Sequence, residues 1–181
     1  TDIDVSYPKL HVLDSTNPCQ IRSVRDRLAL SQTLFIVSSK SGRTFETHSL
    51  MQYFLQLVCS SSGNSDPGSQ FLAITDPGSE LDQFSIAQRF AHVFHGLPKV
   101  GGRFSALSSF GLVPAAAAGI DVLQILGRAR GMRDRCTAEI PVGENPGVLL
   151  GITMAIAAEN ELDKLTLVSS ARFHGLGAWI C

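Results

Sequence analysis

Apolar positions along the chain fall into short continuous runs that alternate with stretches of three- and four-residue spacing. Leu10-His11-Val12-Leu13 is a short extended run, ending at Asp14-Ser15-Thr16-Asn17-Pro18. Asn17 suits a helix cap and Pro18 a first turn, so a helix is expected from there to about Ala29. Thr33-Leu34-Phe35-Ile36-Val37-Ser38 is the stronger strand, β-branched and too short for a helix. Its lack of polar alternation predicts burial on both faces, as in a parallel sheet. Residues 44–58 place Leu50, Met51, Phe54, Leu57 and Val58 on one helical stripe. A polar loop at 60–69 precedes a third strand, Phe71-Leu72-Ala73-Ile74, closed by Asp76-Pro77-Gly78 with Ser79 as cap of a short helix. A fourth strand is expected at 91–94. Helices are expected at 108–118 with Gly119 as stop, 122–133 and 146–159, then a fifth strand at 164–168 and the opening of a helix at 176–180.

Strands that alternate with helices and read as buried predict an α/β fold: a three-layer αβα sandwich around a mostly parallel, five-stranded sheet. The 181 residues suit a single domain spanning 1–181. Asp-Pro-Gly-Ser occurs twice, at 66–69 and 76–79, and reads as recurrent turn chemistry because nothing around it repeats.

Composition narrows the function classes. Lys+Arg 15 against Asp+Glu 16 leaves a net charge of −1, which speaks against a nucleic-acid surface built on positive charge. The longest apolar stretch, 147–158, falls short of the roughly 20 residues that span a bilayer. Thr1-Asp2-Ile3-Asp4 lacks the form of a signal peptide. Cysteines at 19, 59, 136 and 181 form no C-x-x-C pair, so neither a disulfide scaffold nor a paired-ligand metal site is expected, and reduced thiols in the cytoplasm are. The mean hydropathy of +0.16 is high for this charge content, as if some surface expected a neighbour.

Two segments could carry chemistry, because ligands gather at the carboxyl ends of strands in open α/β sheets. The first is Ser38-Ser39-Lys40-Ser41-Gly42-Arg43-Thr44. A strand-to-helix loop offers backbone N–H groups and the positive end of a helix dipole to an anion. Hydroxyls of Ser39, Ser41 and Thr44 add donors, and Gly42 allows close approach. The alternative is an ordinary polar loop with Thr44 as helix cap; the nucleotide P-loop pattern is absent. The second is Lys99-Val100-Gly101-Gly102-Arg103-Phe104-Ser105, where paired glycines would admit a ligand and Arg103 could stabilise an oxyanion or simply pair on the surface.

Together these segments carry a family resemblance. Ser-Lys-Ser-Gly-x-Thr-x-Glu-Thr at 39–47 resembles the sugar-phosphate loop of sugar isomerase (SIS) domains. Val-Gly-Gly-Arg-Phe-Ser at 100–105 looks like the signature of glucose-6-phosphate isomerases. Connecting sequence is closest to the isomerase half of bacterial fused transaldolase/glucose-6-phosphate isomerases, over 10–179. The resemblance implies that Ser39, Ser41 and Thr44 hold a substrate phosphate with the Lys40 backbone. It implies that Gly102 and Arg103 lie against the sugar, Arg103 steadying an enediolate. It implies no metal or organic cofactor, a sugar phosphate as ligand, an attached transaldolase half or a homodimer as partners, and a cytoplasmic setting.

The chain departs from the family at several points. Arg43 and Phe45 stand where Thr and Pro are usual, and Arg43 could add charge near the phosphate or point to solvent. The family's Gly-rich segment with a phosphate-binding Ser has no counterpart here, and its general-base Glu, ring-opening His and a further Lys lie beyond the stretch matching 177–179. The resemblance therefore implies a segment of the enzyme that lacks parts at both ends. The alternative function is a non-catalytic SIS domain that senses sugar phosphates.

Other candidates are declined. His92 and His95, three apart on a strand, point to opposite faces. His174 belongs to no motif. Arg128, Arg130, Arg133 and Arg135 suit a solvated helix end, while Glu46 matches the acid of the family loop and is equally explained by the dipole of the helix it opens, so a further role for it stays open. Glu144 is merely the other acid near a plausible loop.

Overall fold

Runs of β-branched and aromatic residues form strands β1 (Phe35–Ser38), β2 (Phe71–Thr75) and β3 (His92–His95), paired in parallel in the order β1-β2-β3. The computed structural model describes residues 7–62, 66–168, 170 and 175. Phe35 lies opposite Phe71 and Ser38 opposite Ile74, while Leu72 faces His92 and Thr75 faces His95. Parallel neighbours need a crossover, and helices α2 (Phe45–Ser62) and α3 (Glu80–Ala87), numbered after α1 (Pro18–Arg25), supply it between successive strands. All three strands therefore run their carboxyl ends, and the loops that follow, to one edge of the sheet.

The core lies between the sheet and these helices. Met51, Phe54, Leu55 and Val58 of α2 bury against Val37, Phe71, Ala73 and Leu81, close to the stripe expected from spacing, with Leu55 in place of the half-buried Leu50 and Leu57. Phe35 stacks on Phe71 at 4.7 Å, and Phe71 meets Phe90 at 5.3 Å. Such ring pairs add about 0.5–1.5 kcal/mol each beyond the area they bury.

Local signals at helix starts hold. The Asn17 carboxamide accepts from the Cys19 amide, and Pro18 occupies the first turn. Ser79 Oγ accepts from the Asp82 amide at the start of α3. Ser108 caps α4 (Ser109–Ala117), which closes near Gly119 at φ +79°.

The fold differs from expectation in three ways. Its described strands number three, not five: residues 10–13 and 164–168 find no ladder partner among the described residues, and a strand exists only as half of a pair. The run expected to be buried on both faces, 33–38, lies at the sheet edge, where Leu34 is exposed and Phe35 and Ile36 are half-buried; β2 is the buried strand. Helix α1 stops at Arg25, four residues early, where the chain tightens and the Arg27 and Leu28 amides donate to the Val24 and Arg25 carbonyls three residues back. The helix expected at 176–180 lies outside the described residues.

The chain divides into two compact units between Val122 and Leu123. The second contains α6 (Pro146–Glu159) and all but the first residue of α5 (Val122–Arg135). Asn145 organises it: its buried carboxamide accepts from the Gly147 and Val148 amides and donates to the Thr137 carbonyl. Helix α6 is apolar around its whole circumference, and Leu149, Leu150, Ile152, Met154 and Ile156 are exposed. Among the described residues no helix is long and apolar enough to cross a membrane, and Cys19, Cys59 and Cys136 are free, exposed thiols.

Candidate functional site

Three loops leave the carboxyl edge of the sheet: 39–44 after β1, 76–79 after β2, and 96–107 after β3. In the first, the Ser39 amide donates to the Ile74 carbonyl and carries the β1–β2 ladder one residue past the strand. Ser39 is buried, and its Oγ takes the Gly42 amide at 3.2 Å and lies 3.3 Å from Thr44 Oγ1. Ser41 Oγ takes the Arg43 amide at 3.2 Å. The hydroxyls thus shape the loop by accepting. Of their three protons the Ser39–Thr44 contact uses one, which leaves the others to donate outward.

Gly42 is needed for the loop itself. Its φ is +73°, and a Cβ there would lie 2.4 Å from the Leu81 backbone nitrogen. Sequence reading assigned its freedom to ligand approach; the close neighbour is the first turn of α3. Arg43, left open between phosphate and solvent, pairs with Glu80 of α3 through an exposed 2.9 Å contact. Thr44 stands immediately before α2, and its carbonyl accepts from His48.

Lys40 is held through its side chain by the second and third loops. Its ammonium donates to Asp76 Oδ1 and Oδ2 at 2.8 and 2.7 Å and to the Leu97 carbonyl at 3.0 Å. Its carbonyl accepts from the Asp76 amide and from Thr75 Oγ1. Thr75 Oγ1 lies 2.6 Å from Ser79 Oγ, which also caps α3. Behind it, Asp82 accepts the Gly78 amide at 2.7 Å and faces His95 Nε2 at 3.1 Å. The Gly78 hydrogen bond first, then the His95 contact, hold the Asp82 carboxyl below its usual range against the opposing effect of burial.

In the third loop, Gly102 and Arg103 open a 3₁₀ turn, Gly102–Leu107. Both are exposed. A Cβ on Gly102 would meet nothing within 4 Å, so the protein's own packing does not demand a glycine there. Ser105, buried, ties the turn through Oγ to the Gly102 carbonyl, and Ser108 Oγ reaches the Ser105 carbonyl while capping α4. The fold brings Ser39 and Thr44 together and ties Lys40 of the first loop to Asp76 and to Leu97 of the third. Ser41 lies on the exposed flank.

Sequence reasoning missed Asp76, Asp82 and His95 as members of this assembly. The second Asp-Pro-Gly-Ser was read as a turn, and only the position of its Asp at a strand end beside a lysine-bearing loop hinted at an ion pair. His92 and His95 do diverge: His92 stacks its edge on Phe94, while His95 faces Asp82. Glu46 sits exposed in the first turn of α2, a place that suits the helix dipole. Arg133 and Arg135 occupy the last turn of α5, with Arg133 on Asp134. His174 lies outside the described residues.

Comparison with known proteins yields a consistent picture. The family profile described as phosphoglucose isomerase matches residues 3–166. The glucose-6-phosphate isomerase of Trichormus variabilis is 36% identical over 159 residues, covering 86% of this chain and 29% of that protein. The crystal structure of a hypothetical protein from Thermus thermophilus superposes with a TM-score of 0.75 at 32% identity, over 82% of this chain and 35% of that one. That of a glucose-6-phosphate isomerase from Chlamydia trachomatis does so at 0.68 and 31%, over 81% and 28%. The chain thus spans about three tenths of the length of the curated relatives it matches.

Proposed function

This chain belongs to the phosphoglucose isomerase family, and from that premise we propose that it carries part of the site at which an aldose–ketose isomerase interconverts glucose 6-phosphate and fructose 6-phosphate. One observation carries the reading. The hydroxyl-rich loop after β1 and the paired-glycine loop after β3 leave the same edge of one parallel sheet, and Lys40 reaches from one to the other.

In this proposal the phosphate sits on the first loop. Ser39, Ser41 and Thr44 donate their remaining hydroxyl protons to it, and the Lys40 backbone and the positive end of α2 add to the local field. The sugar lies toward Gly102, where the backbone offers no side chain to obstruct it. Isomerisation removes a proton beside a carbonyl, and the charge that develops on the enediolate oxygens falls to Arg103. The base that moves the proton is not assigned to any residue of this chain, and the chemistry calls on no metal or organic cofactor. A cytoplasmic setting, an attached transaldolase half and a homodimer belong to the same proposal, on the strength of the family resemblance and connecting sequence.

A paired experiment on the full-length polypeptide tests it. Calorimetric titration with fructose 6-phosphate should show weaker binding by Thr44→Val than by the parent. A coupled assay should show Arg103→Ala slowed by roughly 10²–10³-fold, the usual cost of one oxyanion donor. Binding without turnover in the parent would favour the sugar-phosphate sensor instead; unchanged affinity in the Thr44 variant would remove the phosphate assignment.

A further inference from the structure

We propose that Lys40 serves this site as a positioning residue: its ammonium sets the separation between the phosphate loop and the Gly-Gly-Arg turn and does not itself touch the phosphate. The inference rests on the isomerase reading above and concerns how that site is held in register.

The geometry carries it in three ways. An ammonium has three N–H donors, and Lys40 has three acceptors within 3.0 Å, the two Asp76 oxygens and the Leu97 carbonyl. The side chain is therefore fully engaged, and Asp76 cancels the charge it would otherwise offer an anion. Second, the Lys40 carbonyl is held as well, by the Asp76 amide and Thr75 Oγ1, so the residue is fastened at both ends across the tip of β2. Third, the Gly-Gly-Arg turn is bracketed by Lys40. Leu97 precedes the turn, and Phe110, whose ring centre lies 5.9 Å from the ammonium, follows it in α4.

The seam around this contact is tight. A Cβ on Gly96 would stand 2.3 Å from the Phe110 ring and 2.8 Å from Asp76 Oδ1, so the chain leaving β3 lies directly against the ion pair. Side-chain exposures of 28% and 20% for Lys40 and Asp76 place the pair partly out of water, where it is less screened than a surface contact. Substrate bridges the two loops only if phosphate and reacting carbons meet their partners together. A displacement of about 1 Å in such an arrangement can cost about 10²-fold in rate.

The test uses Lys40→Met, which keeps the stem and removes the three donors, and Asp76→Asn, which keeps the shape and removes the charge. Steady-state kinetics with fructose 6-phosphate and calorimetry with inorganic phosphate are run on the full-length polypeptide, with a circular-dichroism melt to confirm folding. Both variants should lose about 10- to 100-fold in kcat, while KM and the phosphate Kd stay within about threefold, and Lys40→Arg should recover part of the lost kcat. Amide exchange in segment 97–105 should quicken in Lys40→Met. If KM and phosphate Kd rise in step with the loss of kcat, Lys40 is a phosphate ligand and the proposal is overturned. It is overturned equally if kcat and exchange stay at parental values. Should Lys40→Met not fold, Asp76→Asn decides alone. A parent that binds neither phosphate nor fructose 6-phosphate overturns the isomerase reading itself, an outcome distinct from a failure of the tie.

Discussion

Gly42 and Gly102 look alike as flexible residues in candidate loops, yet the fold asks different things of them. At Gly42 the positive φ and the 2.4 Å approach to Leu81 leave no room for any side chain. At Gly102 the space around a Cβ is open and φ is not positive, so packing alone would accept alanine. Gly102→Ala should therefore leave the fold intact or stabilise it by about 0.4–1 kcal/mol through the unfolded chain. It should nevertheless depress turnover, because the added methyl occupies the face assigned to the sugar. A thermal melt and a coupled assay on the same preparation check both halves. Normal turnover would mean the glycine is there for neither packing nor ligand. The distinction between the two residues could not be read from sequence, where each is a glycine beside a basic residue.

At the scale of elements, α3 shows how a short helix is fastened at the site edge. Ser79 caps it, and Asp82 in its first turn clasps both the Gly78 amide of the preceding turn and His95 at the end of β3. The folded Asp82 carboxyl lies below its ordinary value, so it contributes stability that is complete above the unfolded value of about 3.9. That contribution is lost as pH falls through the depressed folded value. Melts between about pH 5 and pH 2 should therefore show Asp82→Asn less stable than the parent at the upper end and less sensitive to acid across the window. An identical acid slope in both proteins would mean that the clasp does not discriminate between the carboxyl's two charge states. Elements with strong end signals, such as α1, α3 and α4, were legible because a cap and its partners lie within about four residues. The edge position of β1 was not, since continuous apolar character records what a strand could bury and not what stands beside it.

At the scale of the whole chain, many large apolar side chains among the described residues are exposed. Leu149, Leu150, Ile152, Met154 and Ile156 of α6 are exposed, as are Leu162, Leu165 and Val168 beyond it. A helix that is hydrophobic all round is ordinarily buried, and contiguous apolar exposure marks an interaction surface or an aggregation liability. The 181-residue chain expressed by itself should accordingly bind a hydrophobic dye, melt broadly and turn over fructose 6-phosphate poorly if at all. Fluorescence titration with the dye, a circular-dichroism melt and the coupled assay are the measurements. A sharp cooperative transition without dye binding, together with strong turnover, would contradict this reading.

Sequence by itself determined the α/β class, the parallel character of the sheet, the starts of the described helices and the places of the two candidate loops after strands. Each rests on short-range information: apolar periodicity, a capping side chain and its amide, and hydroxyls grouped around a glycine. Tertiary structure alone decided which strand is central, that residues 10–13 and 164–168 stay unpaired among the described residues, and where Lys40 points. Strand pairing and ion pairing are properties of two distant segments, and no single stretch of sequence states its partner. Lys40 and Leu97 stand 57 residues apart along the chain yet 3.0 Å apart in the fold, because three parallel strands bring their carboxyl ends to one edge.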